Sequence, residues 1–489
     1  MKHLRSWFSS IAALALVLAW VLAPWRAGAQ SLAPVEAPTP VPTPVVATTP
    51  LPYPAYGTPA PDISRQQPTA NVPASVSLAQ AVAIAVMGSP TFASERAQYR
   101  AIAAKYSSEK QAILPNISGS ASVTRSYGGS RTTQSGSGST TSIGGNVTTI
   151  NGQLQLQQLI FDGGRVIAAI RTAKESDIAG RDTLVRQLQT LDYTVAQAYF
   201  GVLQANATVD ADASLVRQFE TQEGAVRQQI RLGAAARSDL AAAQFQTAQA
   251  RGALITAQGA AIGAQATFAT DLGLNADALV DPQPLAGAGG GPKVLTYAQA
   301  LNEALALRPD FLSAEHTVES AQQNVRYAKL GRFPSITANA STGYSELLPT
   351  ATPKLIAGQS LGATLTIPIF DQGLTNYNVA IAQSQLDQAT AGLLGSRLTV
   401  ESDVRGALAN LISARASLLQ AQAELQSAQV NQQATQAKYK VGAATITDIV
   451  TAEANLATAQ RDDITGIYNE RLAEQRYTYA MGTGDLTLP

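Results

Sequence analysis

Hydrophobic and polar positions alternate with period two in two separate places along this chain. One is Gln153-Leu154-Gln155-Leu156-Gln157; the other sets Leu361, Ala363, Leu365 and Ile367 two apart. That spacing gives a strand one apolar and one polar face. Each run follows a second strand-like stretch, Asn116 to Tyr127 and Ser335 to Tyr344. A Gly/Ser/Thr-rich loop starting at Gly128 separates the first pair. A shorter one with Pro349 and Pro353 separates the second. Two β-hairpins are therefore expected, over 115–162 and 334–370.

Elsewhere the pattern is alanine- and glutamine-rich, with no continuous stripe of large apolar residues. No proline falls between Pro115 and Pro282 or between Pro368 and Pro489. Ala, Gln, Leu and Arg all favour helix. Residues 164–230 contain no strong stop and would span roughly 100 Å as one helix. Gly233 and Gly442 are expected to break the helices in the left-handed conformation. Ser238-Asp239 and Thr447-Asp448 are expected to restart them as cap and first-turn acid. Long helices are thus predicted across 164–271 and 373–479. Shorter helices are predicted before each hairpin, from Ser77 to Met87 and Thr296 to Leu307. Each is followed by a helix opened by proline, Pro90 to Ala112 and Pro309 to Leu330, where a proline is tolerated in the first turn.

The two sets are copies of one unit. Ser77-Leu-Ala-Gln-Ala-Val82 matches Thr296-Tyr-Ala-Gln-Ala-Leu301 at an offset of 219 residues, and Pro90, Phe92 and Pro115 match Pro309, Phe311 and Pro334. Beyond the first hairpin the offset is 209: Phe161-Asp162 matches Phe370-Asp371, Gly233 matches Gly442 and Asp239 matches Asp448. The units are placed at 76–274 and 296–489, joined by a linker at 275–295. The ten extra residues of the first copy fall inside its hairpin.

Composition narrows the function. Lys+Arg and Asp+Glu are both 34, so no positive excess points to nucleic acid. There is no cysteine, and the histidines are His3 and His316 alone. Thiol chemistry and paired-histidine catalysis are excluded, and no catalytic, cofactor or metal site is expected. His316, in Ala314-Glu-His-Thr317, is expected on a helix surface. The basic start Met1–Arg5, the apolar run Ile11–Ala23 and Ala27-Gly-Ala29 predict a secretory signal peptide over 1–29. Half of the 24 prolines lie between Ser31 and Pro73, which predicts an extended, disordered tether over 30–75.

Strands of about ten residues can cross a bilayer when tilted. Four strands cannot close a barrel, and an open edge in lipid leaves backbone groups unpaired. Several chains must therefore pool their strands, and three would give twelve. The expected fold is mainly α with membrane β: a duplicated helix–hairpin–long helix–helix unit, forming a trimeric 12-strand barrel continued by a long α-helical tube.

With the duplicated FDGG and FDQG corners, the Pro-x-Ile strand starts, and the turns Arg231-Leu-Gly-Ala234 and Tyr439-Lys-Val-Gly-Ala443 each followed by an aspartate, the chain resembles the TolC-like outer-membrane efflux proteins. The resemblance covers Ser77 to Leu488. It implies a homotrimer in outer-membrane lipid with a tunnel in the periplasm. It also implies a periplasmic adaptor (a membrane fusion protein), an inner-membrane pump of the RND or ABC type, and export of small molecules or proteins. By the same resemblance, Arg231, Leu232, Gly233, Lys440, Val441 and Gly442 are adaptor-docking turns, though turn geometry alone accounts for the glycines. Asp239, Asp448 and Thr451 are gate candidates, though an acid on a helix's first turn accounts equally for Asp448. Thr451 and Ala444 depart from the family's aspartate and arginine at those places. Phe161, Asp162, Gly163, Phe370, Asp371 and Gly373 form the barrel-to-tunnel corners. Two rival readings, a trimeric surface adhesin and an outer-membrane enzyme, fit less well. The hairpins are split by helices, and the Gly-rich run at Gly287 lacks the strand that precedes a phosphate loop.

Overall fold

The computed structural model describes residues 75–134, 140–233, 236–284, 293–348 and 356–483. The expected leader and nearly all of the proline-rich tether lie outside these residues. The first unit holds β1 (Ser75–Val76), α1 (Leu78–Gly88), α2 (Pro90–Gln111), β2 (Asn116–Gln134), β3 (Thr140–Phe161), α3 (Arg165–Arg231) and α4 (Arg237–Asp271). After β4 (Asp281–Pro282), the second unit repeats the order: α5 (Tyr297–Leu307), α6 (Pro309–Lys329), β5 (Ser335–Leu348), β6 (Ile356–Thr366), α7 (Leu374–Lys440) and α8 (Ile446–Met481).

Local chemistry sets the boundaries. Ser77 accepts from the Gln80 amide while the Gln80 side chain accepts from Ser77 N–H, a reciprocal cap that starts α1. Thr296 and Gln299 make the corresponding contact at α5. Pro90 and Pro309 open α2 and α6. Both long helices run 67 residues without interruption.

β2, β3, β5 and β6 form one antiparallel sheet in that order, with β2 and β6 as its edges. Two expectations need correction here. The Gly/Ser/Thr-rich run from Gly128 is paired strand rather than loop: Gly129 faces Gly145 and Thr133 faces Thr141. A backbone ladder needs no particular side chain, and a register shift between Ser126 and Gly129 absorbs the glycine pair. The first hairpin therefore has strands of 19 and 22 residues, not about ten. The second hairpin stops early: β6 ends at Thr366, two residues before Pro368, which has no amide to donate.

Each unit has its own core where the short helix lies across the long pair. Val82 and Ala85 of α1 pack on Tyr199, Val202 and Phe268. Ala300 and Ala304 of α5 pack on Val400, Val404 and Tyr477. The linker region is partly built in. β4 pairs in parallel with β1, Gln283 N–H donates to Val76 O at 2.9 Å, and Tyr199 Oη donates to Gln283 O at 2.6 Å.

The two units are joined by a buried ionic knot. Arg308, 1% exposed, precedes α6 and donates to Asp310 at 2.6 Å and to Asp403 of α7 at 3.0 Å. Arg186 of α3 lies 3.7 Å from Asp310 and donates to Tyr479 O at the end of α8 at 2.9 Å. Burial alone would raise the Asp310 carboxyl. Hydrogen bonds from Arg308 and the charges of Arg186 and Arg308 outweigh it and hold it below the usual carboxylate range.

Arg308→Met should therefore lower the thermal unfolding midpoint, at a cost of about 3 kcal/mol, the low end for a buried pair because both carboxylates keep partial solvent access. A carboxyl with a depressed pKa stabilises above its ordinary pKa and loses that contribution as pH falls through the depressed value. The gap between wild type and Arg308→Met should thus narrow on acidification, read by circular dichroism against temperature at several pH values.

Candidate functional site

The sheet has two chemically distinct faces, because residues paired across neighbouring strands share a side. Ile117 faces Leu156, Val123 faces Ile150, Leu156 faces Ala340, and Ala340 faces Leu361. On the opposite side Ser118 faces Gln155, Ser120 faces Gln153, and Ser341 faces Ser360, with 2.8 Å between the last two hydroxyls. Ile117, Val123, Leu154, Leu361 and Leu365 are each more than half exposed. A broad exposed apolar face suits lipid, and the polar face behind it suits a watery lumen. Among the described residues no helix is long and apolar enough to cross a membrane.

At each corner a strand hands over to a long helix, and one aspartate holds the junction. Asp162 accepts from Gly164 N–H at 2.9 Å and from Val166 N–H at 2.6 Å. Asp371 accepts from Gly373 N–H at 3.0 Å, from Thr375 N–H at 2.9 Å and from the Thr375 hydroxyl. These bonds satisfy amides that a helix start leaves orphaned. The Thr375 hydroxyl and the backbone amides hold Asp371 below the usual carboxylate range. Two successive residues take positive φ at each corner: Gly163 and Gly164, then Gln372 at 56° and Gly373. A Cβ on Gly163 would lie 2.4 Å from that of Phe333, so this glycine is also a steric requirement. Phe161 ends β3, while Phe370 lies past the end of β6 and is 85% exposed.

At the far ends of the long helices, Gly233 and Gly442 terminate the turns with φ of 75° and 76°. Nothing lies within 4 Å of where either Cβ would be, so backbone conformation alone requires these glycines. Arg231 and Lys440 occupy the last helical turns, as a helix C-terminus favours. Leu232 and Val441 stand at equivalent places and are 82% and 78% exposed.

The helices restart two residues earlier than expected. Ala236 and Thr445 are the N-caps in place of Ser238 and Thr447, and Asp239 and Asp448 are first-turn acids as expected, at the third helical position. Asp448 accepts from Thr445 N–H and Oγ1, both at 2.8 Å, and Asp239 accepts from Ala236 N–H at 3.1 Å. The Thr445 backbone and hydroxyl bonds hold Asp448 below the usual range. Thr451 donates within its own helix to Thr447 O at 2.9 Å. Asp448 and Thr451 are both exposed or half-exposed and bond only locally.

Sequence reading missed the contacts that bring the two tips together. Tyr439 Oη lies 3.1 Å from Gln229 Oε1, linking α7 to α3. Burial and the nearby Asp239 carboxylate push the Tyr439 phenol up. Further along, Gln218 donates to Glu453 at 3.1 Å, and Arg461 pairs with buried Asp212 at 2.6 Å, both between α3 and α8. Burial pushes Glu453 up. His316 also differs from expectation: it is half-buried, with Nδ1 3.0 Å from Glu175 of α3. Among the described residues no group of three or more His, Asp or Glu could hold a metal.

Known proteins share this arrangement. The profile of one family, outer membrane efflux protein, matches residues 83–274 and 300–483. The outer membrane efflux protein BepC of Brucella suis is 26% identical over 309 residues, covering 63% of this chain and just under two thirds (66%) of its own. The outer membrane protein TolC of Escherichia coli is 25% identical over 354 residues, covering 68% and 69%. Among solved structures, CusC superposes with a TM-score of 0.69 at 20% identity, over 83% of this chain and 92% of that one. VceC from Vibrio cholerae gives 0.69 at 18%, over 83% and 96%.

The unequal corners give a direct test of their geometry. Gln372→Gly relieves a positive φ and should leave stability unchanged or raise it by up to about 1 kcal/mol. Gly163→Gln adds both the strained φ and the collision with Phe333, and should cost at least about 2 kcal/mol. Thermal midpoints of the two variants against wild type measure the difference.

Proposed function

The chain belongs to the outer membrane efflux protein family, and on that premise we propose that three copies build one duct from the outer-membrane surface into the periplasm. Its place is the outer membrane, with the helical part in the periplasm. One observation carries the reading. A single four-stranded sheet, apolar on one face and polar on the other, stands on four helices and ends in two unpaired edges.

In lipid each unpaired backbone group costs several kcal/mol, so β2 and β6 need partners. Twelve strands from three chains close the ring. The helices support the same closure. α3 and α8 touch each other within the chain through Arg461–Asp212 and Gln218–Glu453. Apolar side chains on their outer partners are left exposed: Phe245, Ile255 and Ile262 on α4, and Leu398, Ile412 and Leu419 on α7. Neighbouring copies cover these stripes.

The duct receives cargo from an inner-membrane pump of the RND or ABC type through a periplasmic adaptor. Leu232 and Val441, apolar and exposed at the ends of both turns, with Arg231, Gly233, Lys440 and Gly442 shaping the turns, are the adaptor's docking points. The gate lies beside them. Three Asp448 carboxylates around one axis repel each other and attract cations, with Asp239 and Thr451 at the same end. The Tyr439–Gln229 bond holds the two tips of each chain together in the closed state.

The duplication fixes the register across subunits. Leu154 faces Thr342 within the chain; the repeat offsets carry that pair to Ala363 and Val123 of the neighbouring copy. Val123→Cys with Ala363→Cys, in a chain that has no cysteine of its own, should oxidise to a covalent trimer on denaturing gels. Val123→Cys with Leu361→Cys should not.

Single-channel currents in a planar bilayer test the gate. Asp448→Ala should raise conductance and weaken cation preference, and Tyr439→Phe should raise the open fraction. A verified trimer that is silent in all three forms would count against a duct.

A further inference from the structure

We propose that the ring where strands give way to helices binds the headgroups of anionic phospholipids in the periplasm-facing leaflet of the membrane. The inference rests on the barrel reading and adds to it a lipid class and a site.

The ring begins as a continuation of the lipid-facing sheet face. Phe161 pairs with Ile336, and Ile336 with Leu365, so all three share the apolar side. Just beyond the strands, Ile369 is 94% exposed and Phe370 85%. Phe333, packed against Gly163, is half-exposed in the same ring. Large apolar side chains at that level suit the boundary between acyl chains and headgroups.

Immediately on the periplasmic side lies a collar of cations. Lys110 is in the last turn of α2; Arg326 and Lys329 are in the last turn of α6; Arg332 follows α6; Arg165 and Arg171 lie in the first two turns of α3. All six are exposed. None of them appears in an ion pair among the described residues, whereas deeper arginines do: Arg308 with Asp403, Arg415 with Glu474, Arg461 with Asp212. Arg165 instead lies over the Tyr327 ring at 4.5 Å and Lys110 over Tyr106 at 3.8 Å, which leaves their charge uncompensated. The acids nearby offer little relief. Asp162 and Asp371 are both turned to backbone amides, and Glu109 remains.

Helix dipoles explain only part of this collar. Lys110, Arg326 and Lys329 sit at C-terminal turns, where cations are favoured. Arg165 and Arg171 sit in the first two turns of α3, where no helix dipole favours a cation, and the Asp162 carboxylate beside them is taken up by the Gly164 and Val166 amides. An external anion at headgroup depth supplies the counter-charge that no ion pair among the described residues gives them. Guanidinium forks and ammonium groups beside an apolar rim are what a lipid phosphate fits.

The chain allows a clean test. Its three tryptophans, Trp7, Trp20 and Trp25, all fall in the predicted leader, so Phe370→Trp gives the processed protein one reporter in the ring. The trimer is reconstituted in phosphatidylcholine bilayers containing equal small fractions of either brominated phosphatidylglycerol or brominated phosphatidylcholine. The anionic lipid should quench about threefold more strongly, and about 1 M salt, which shortens screening to roughly 3 Å, should remove the difference. Adding Arg165→Gln, Arg326→Gln and Lys329→Gln together should bring the two lipids to parity, and Lys329→Arg alone should not. Equal quenching by both lipids at low salt overturns the anionic site while leaving the ring in the bilayer. Quenching by neither overturns the proposal together with the barrel reading beneath it. Should the triple variant fail to assemble, the lipid comparison and its salt dependence decide on the reporter protein alone.

Discussion

The obligation of every backbone N–H and C=O to find a partner away from water governs this molecule. Four strands in an open row satisfy their inner ladders and leave β2 and β6 half-paired. Among the described residues no strand pairs with those edges, so the assembly proposed above is part of the fold rather than an addition to it. The duplication supplies the means. In the proposed trimer a contact already made inside the chain, β3 against β5, is repeated between chains as β6 against β2. The helices below inherit the same order because each strand is continuous with one helix.

Continuity at the corners rests on few atoms. A strand arriving with period two must leave as a helix of period 3.6 without exposing the orphan amides of the first turn. Asp162 and Asp371 take up two backbone amides each, and the paired positive-φ residues swing the chain to meet them. At the waist a different solution appears. Arg308 and Arg186 bring α3, α6, α7 and the end of α8 to one charged cluster. The equivalent of Arg308 in the first unit is Ser89, whose hydroxyl caps α2 instead. Only one of the two waists is ionic, and it is the one that draws both units together.

Much of this was legible from spacing. Alternating residues located the strands, proline punctuated the helices, and the change of offset from 219 to 209 placed the variable segment inside the first hairpin. Within that hairpin, composition misled: glycine and serine from Gly128 onward suggested loop, while the ladder through Gly129–Gly145 and Thr133–Thr141 is set by backbone pairing that composition does not report. The caps at Ala236 and Thr445 lie two residues before the expected ones because the Asp239 and Asp448 carboxylates accept from those two amides; by residue type alone Thr447 is as good a cap as Thr445, and Ser238 a better one than Ala236. The contacts of Arg308, Tyr439 and Glu453 were invisible for another reason. Each matters through a partner far away in sequence, at Asp403, Gln229 and Gln218, and no local pattern announces such a pair.

The equal length of α3 and α7, 67 residues each from equivalent corners, has a consequence for how the protein can change. In the proposed trimer six turns would therefore hang at one depth and form a level foot. Inserting three residues into either helix would drop half of the feet by about 4.5 Å and swing them through roughly 300°. A ring-shaped partner would then meet an uneven base. Length in these helices can therefore drift only in step in both copies, and by steps that restore the facing of each turn. The first hairpin, at the other end of the chain's strands, is under no such tie, and it is there that the copies have grown apart.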